Sequence, residues 1–163
     1  MVQTKLGFDN GLNRQSGYIL LEIMAAIFVL VISFSFILLK YDAYKDAYYK
    51  QQVYLSASQL SGDLRRMQQK AIYDNHAKPA IRTQNADSYL ISQNAQVMKL
   101  HYFYEHGCSG VYFKARLYNI SFGTDGVPTT SGKYILSHKN RPQCQYVVEV
   151  QPITGRVLVS EKK

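Results

Sequence analysis

The sequence predicts an α+β protein in which one long N-terminal helix lays its second half on an antiparallel β domain. Three features point there. Residues 19–39 form an apolar run broken only by Glu22, Ser33 and Ser35. Beyond it, Val53, Ala57, Leu60, Leu64, Met67 and Ala71 recur in alternating steps of four and three, which is the spacing of one helical face. After Pro79 the period changes to short runs rich in Tyr, Ile, Val and Phe, set between Gly, Pro and Asp turn signals, as in antiparallel strands.

In chain order, residues 1–17 are a polar leader with Lys5 and Arg14 and no apolar periodicity. Residues 18–39 are a membrane-spanning stalk, since about 20 apolar residues in a helix cross the ~30 Å hydrocarbon core of a bilayer. Basic residues ahead of the stalk favour a cytoplasmic N-terminus, although Lys40, Lys45 and Lys50 beyond it reduce the asymmetry. An ordinary secretory signal has a shorter apolar core and a small-residue cut site after it; nothing of that form follows Leu39. Residues 40–75 continue the helix in amphipathic form, because no Pro intervenes and Gly appears only at Gly62 before a break at 75–79. Asp63, Arg65, Arg66 and Lys70 fall off the apolar stripe, which faces a sheet. Residues 76–163 form the β domain, with strands expected at 89–92, 97–104, 111–115, 118–122, 134–137, 146–150 and 157–160. Gly126 and Gly155 fall at turns that suit positive φ.

The formal net charge is +8, and from Lys50 onward lie 15 of the 19 basic residues but only 7 of the 11 acidic ones. A basic exported domain attracts polyanions such as DNA, anionic lipid heads or acidic wall polymers, unless the charge merely keeps it soluble. With 14 Tyr and no Trp, the chain is rich in side chains that bury area while keeping a hydroxyl wet, which suits an assembly subunit. Cys108 and Cys144 both fall in the part that would be exported, where a disulfide can persist. A bridge between them would add roughly 3–4 kcal/mol; the alternative is two free buried thiols. His76, His101, His106 and His138 make no metal-binding or catalytic spacing, and there is no H-E-x-x-H, paired C-x-x-C, nucleophile elbow or phosphate-cradling loop. The chain therefore reads as non-enzymatic, with no cofactor and no metal.

Glu22 is the anomaly of the stalk. At mid-membrane an acidic side chain costs roughly 2.5–3.5 kcal/mol on an insertion scale, so the carboxylate calls for a cation. A cut between Gly17 and Tyr18 would create an ammonium group close before it, which on a neighbouring subunit could meet the carboxylate and offset the desolvation of both. A basic leader ending in Gly17, an aromatic at Tyr18, and Glu22 followed by an apolar helix resemble the type III signal of type IV prepilins and pseudopilins. Tyr18 and Ile19 stand where that signal more often has Phe and Thr.

Further on, residues 120–126, 134–137, 146–150 and the Thr154-Gly155-Arg156 turn are similar to the GspH/FimT type of minor pilins and pseudopilins. The resemblance, which runs from Gly17 to about Val159, implies a pilin-like fold and cleavage after Gly17 by a prepilin peptidase. It also implies N-methylation of Tyr18 and an assembly role for Glu22. The implied partners are other pilin or pseudopilin subunits, an inner-membrane assembly platform and membrane lipid. The implied location is the bacterial cytoplasmic membrane, N-terminus inside, and then a type IV pilus, a type II secretion pseudopilus or a competence pilus.

In FimT-like minor pilins of natural transformation a Gly-Arg-x-Arg motif contributes to DNA capture. Gly155-Arg156-Val157-Leu158 keeps the first Arg and lacks the second. Lys139, Arg141, Lys162 and Lys163, with Lys133 before a strand, are the cations that could compensate. A DNA-binding pilus subunit is thus one alternative. The other is a signal-anchored exported enzyme, which would explain the apolar run but not Gly17 and Glu22 together.

Overall fold

No proline precedes Pro79, and in the computed structural model of the chain α1 (Leu12–Tyr73) runs over 62 residues without interruption. The structure describes residues 12–74 and 76–162; most of the leader, Asn75 at the expected helix break, and Lys163 lie outside them. Asp74 turns the chain out of the helix. Its carboxylate accepts the His76 N–H at 3.1 Å and its carbonyl accepts the Ala77 N–H at 2.9 Å, a side-chain-mediated turn of the kind Asp favours.

The chain divides into two compact units, Met1–Tyr44 and Lys45–Lys163. In the first, every side chain described from Tyr18 onward is exposed. Ser33 and Ser35 donate to the carbonyls of Val29 and Val31, each at 2.8 Å, so their hydroxyls are satisfied within the helix and leave the surface apolar.

In the second unit Val53, Ala57, Leu60, Leu64 and Ala71 are fully buried and Met67 packs beside them, which is the stripe expected from the sequence. It lies on two four-stranded antiparallel sheets. One has the order β3-β2-β1-β5, from β1 (Pro79–Asn85), β2 (Ser88–Gln93), β3 (Gln96–Tyr102) and β5 (Asn119–Ser121). The other has the order β4-β6-β7-β8, from β4 (Val111–Ala115), β6 (Gly132–His138), β7 (Arg141–Val150) and β8 (Val157–Glu161). A chain of rings joins the two: Tyr89 to Phe103 at 5.9 Å, Phe103 to Phe113 at 5.1 Å and Phe113 to Tyr134 at 5.7 Å between centroids, within the range of favourable aromatic packing. The Phe113 N–H also donates to Ala86 O, in the β1–β2 turn, at 2.6 Å. Both sheets therefore share one core under the helix.

The strands depart from expectation in three places. β1 is a central strand that the pattern missed, because Pro79-Ala-Ile-Arg-Thr-Gln-Asn85 has only Ile81 as a large apolar residue and owes its place to pairing with β2 and β5. β3 stops at Tyr102, and Phe103–His106 winds into a 3-10 turn closed by Gly107 at φ 74°. β7 begins at Arg141 rather than 146; Pro142 is tolerated there because β8 pairs only from Tyr146 onward, so the proline occupies an edge.

Gly126 and Gly155 adopt φ 76° and 64° as expected. The two turns touch, since a Cβ on Gly155 would meet the Gly126 carbonyl, which also accepts the Gln68 amide of α1 at 2.9 Å.

The bridge between Cys108 and Cys144 is not made: both thiols are free, Cys108 buried in the core and Cys144 half-buried on β7. β6 separates β7 from β4, the strand that Cys108 leads into. Two strand spacings are about 10 Å, beyond the ~4.4–6.8 Å that a disulfide spans between Cα atoms.

Candidate functional site

The residues with functional promise fall in three places. The first is the exposed helical run of the N-terminal unit. The helix is long and apolar enough to cross a membrane, and none of its apolar stretch is buried within the chain. Gly17 and Tyr18 are consecutive residues of α1. Tyr18 is 76% exposed and Glu22 is exposed one turn further on. Among the described residues no hydrogen-bond donor or cation meets the Glu22 carboxylate.

The second is the set of cations. Arg156 leaves the β7–β8 turn, exposed, its N–H donating to the Thr154 hydroxyl at 3.3 Å. Arg65 of α1 donates to Val157 O at 3.0 Å, and the two arginines line a shallow cleft of about 350 Å³ with Gln68 and Gln69. Lys139 and Arg141 sit instead at the β6–β7 turn, and Lys162 lies at that same end, its N–H on Gln145 O at 3.0 Å. β7 separates the two groups, and its Arg141–Val150 length is on the order of 25–30 Å of extended chain. Arg141 is moreover held by Asp46 at 2.6 Å, and Lys133 by Glu149 at 3.2 Å across β6 and β7. Of the cations that looked complementary to Arg156 in sequence, Lys139, Arg141 and Lys162 therefore lie at the other end of the sheet, Lys133 is near its end but paired with Glu149, and Lys163 lies outside the described residues. Arg65, which the sequence treats only as a charge off the stripe, shares its cleft.

The third place was missed. Asp63 is not a solvated off-stripe charge but is 95% buried. Its carboxylate accepts the Tyr89 hydroxyl at 2.7 Å and stands 3.7 Å from His101 Nε2 on one side and 3.7 Å from Arg66 on the other. His101 stacks on Tyr89 at 5.2 Å and on His106 at 5.9 Å, while the Gln59 amide contacts its Nδ1 at 3.3 Å. Burial, reinforced by the Asp63 charge, pushes the Tyr89 phenol well above its ordinary pKa. Burial also lowers the pKa of His101, outweighing the opposing pull of Asp63. The signal was present: Asp63 comes three residues after Leu60 and four before Met67, on the border of the stripe rather than opposite it. The cluster ties α1 to β2 and β3 and keeps a buried charge paired. Among the described residues no three His, Cys, Asp or Glu side chains group to hold a metal ion.

A helix with an exposed apolar N-terminal half, whose second half lies on two four-stranded antiparallel sheets, defines a class, the pilin-like α+β fold. A solved structure places this chain within it. A crystal structure of the type IV minor pilin FimU of Pseudomonas aeruginosa strain PAO1 aligns with a TM-score of 0.55 at 13% identity, over 68% of this chain and 89% of that one. A second crystal form of the same protein aligns at 0.47 and 13%, over 64% and 89%. No family model matches the chain, and no curated protein sequence matches it. The chain has the fold of a type IV minor pilin.

Proposed function

We propose that the chain is a minor pilin or pseudopilin, an assembly subunit of a type IV pilus, type II secretion pseudopilus or competence pilus. The observation that carries this is the continuous helix with an exposed apolar run bearing Glu22, on a chain whose fold is that of a minor pilin. Residues 1–17 are the leader, removed after Gly17 by a prepilin peptidase, and Tyr18 is then N-methylated. Residues 18–39 anchor the subunit in the cytoplasmic membrane and afterwards pack in the filament core, 40–75 carry the helix onto the β domain, and 76–163 face outward. The assembly platform of the inner membrane and other pilin subunits are its partners. In the filament the Tyr18 amine of one subunit neutralises Glu22 of another, which offsets the desolvation of both charges.

The test is the intact mass and N-terminal residue of the protein from membranes of a host with an active prepilin peptidase. A chain beginning at methylated Tyr18 is expected; one retaining Gly17 and the leader overturns the proposal. Glu22→Ala is expected to insert in the membrane normally and to be lost from filaments.

DNA contact is a second reading, favoured by the cleft that Arg65 and Arg156 share. Affinity there would come from phosphate neutralisation and would fall steeply with salt. Unchanged DNA retention by Arg156→Ala at low salt would remove it.

A further inference from the structure

The apolar run is bounded by tyrosines. Tyr18 opens it, no tyrosine recurs until Tyr41, and Tyr44 follows; the three side chains are 76%, 52% and 70% exposed. Charge returns at the same point, with Lys40 and Asp42. At the helical rise, Tyr18 stands about 35 Å from Tyr41 and about 39 Å from Tyr44, which spans the ~30 Å hydrocarbon core and part of the headgroup layer on either side. On one face Phe36, Ile37, Lys40, Tyr41 and Tyr44 line a shallow groove, apolar at its Phe36 end and carrying an ammonium and two phenols at the other. Rings with one polar edge collect at membrane–water interfaces, and a lysine lays its stem along the acyl region while its head reaches the phosphates.

We propose that Tyr41 and Tyr44, with Lys40, form a lipid-headgroup belt that seats the outer end of the helix among phospholipid phosphates and sets how deep the subunit stands before assembly. This rests on the membrane-anchored reading given above. It has a consequence for Glu22, which lies about 29 Å along the axis from Tyr41 and about 33 Å from Tyr44. With the belt held at one boundary of the bilayer, the carboxylate reaches the other boundary instead of the midplane. It is then hydrated in the lone subunit, and becomes dry and in need of a cation only when the helix is drawn into a filament. Extraction has to lift the belt out of the headgroups.

The chain contains no Trp, so Phe28→Trp, Ile23→Trp and Tyr44→Trp each introduce a sole indole. The full chain is reconstituted in phosphatidylcholine–phosphatidylglycerol vesicles carrying lipids brominated either near the headgroup or near the acyl terminus. The expected result is deep quenching of Phe28→Trp and shallow quenching of both Ile23→Trp and Tyr44→Trp, each with a preference of roughly twofold or more. Because an indole itself favours the interface, a second measurement leaves the belt free of it. Adding Tyr41→Ser and Tyr44→Ser to the Phe28→Trp chain is expected to lower the deep-to-shallow quenching ratio at least twofold. Deep quenching of Phe28→Trp that is indifferent to loss of both phenols overturns the belt and leaves the anchor standing. So does Tyr44→Trp quenched only by aqueous iodide while Phe28→Trp is quenched deep. Absence of bromine quenching in all three single variants overturns the anchor and the belt together.

Discussion

Gly155→Ala tests how the helix and the second sheet are locked together. Gly155 holds φ +64°, where an L-residue costs about 1–2 kcal/mol. The new Cβ would also meet the Gly126 carbonyl and the Gln68 amide. Backbone cannot step aside cheaply, so Gln68 is displaced and its 2.9 Å bond to Gly126 O is lost, at about 1 kcal/mol. Against these, alanine narrows the unfolded ensemble, a gain of about 0.4–1 kcal/mol. Strain and the lost bond win, leaving a net destabilisation of about 2 kcal/mol. For a unit of this size that lowers Tm by about 8 °C. The assay is thermal unfolding of the full chain in detergent followed by near-ultraviolet circular dichroism of its tyrosines, with urea unfolding as a second measure. A Tm within about 2 °C of the parent chain, or above it, would refute the close packing of the 123–127 and 151–156 turns.

The same physics runs in the other direction at Ala95, which sits at φ +66° beside Asn94 at φ +51° in the β2–β3 turn, where glycine is the favoured residue; Ala95→Gly is expected to raise Tm by about 2–4 °C, about 0.5–1 kcal/mol. Gly62 lies in mid-helix with open space where a Cβ would stand, so Gly62→Ala is expected to stabilise by up to about 1 kcal/mol in urea unfolding, and a loss would show that the helix needs that opening. Tyr89→Phe removes the donor that satisfies buried Asp63 and is expected to cost about 1.5–3 kcal/mol in the same assay. The fold favours neutral His101, whose pKa burial lowers from 6.5. Its contribution is therefore complete above pH 6.5 and is lost as pH falls below that, through the lowered folded value. His101→Gln is expected to flatten that part of the stability-against-pH curve, read by urea midpoints between pH 7 and 5.

What could be read from the sequence divides by how local its cause is. The apolar run and the 53–71 stripe follow from periodicity along a single helix, and the turns at Gly126 and Gly155 from a backbone requirement of single residues; all are present as expected. β1 follows from neither. Its residues are a strand because β2 and β5 supply partners on both sides, information that no window over 79–85 contains. Asp63 is a similar case, since a carboxylate at the border of a stripe is solvated or buried according to whether a phenol and an imidazole arrive from strands later in the chain, and Tyr89 and His101 do. The cations show the reverse error. Arg141, Lys139, Lys162 and Arg156 are neighbours along the C-terminal sequence, but β7 carries the chain from one end of the sheet to the other between Arg141 and Arg156, so closeness in sequence becomes separation in space. Arg65, far away in sequence, comes to share a cleft with Arg156 because α1 runs beside β8. Any polyanion that binds at Arg156 must therefore be read by the helix and the last strand together, and Arg65→Ala should weaken it as much as Arg156→Ala, whereas Arg141→Ala, already committed to Asp46, should not.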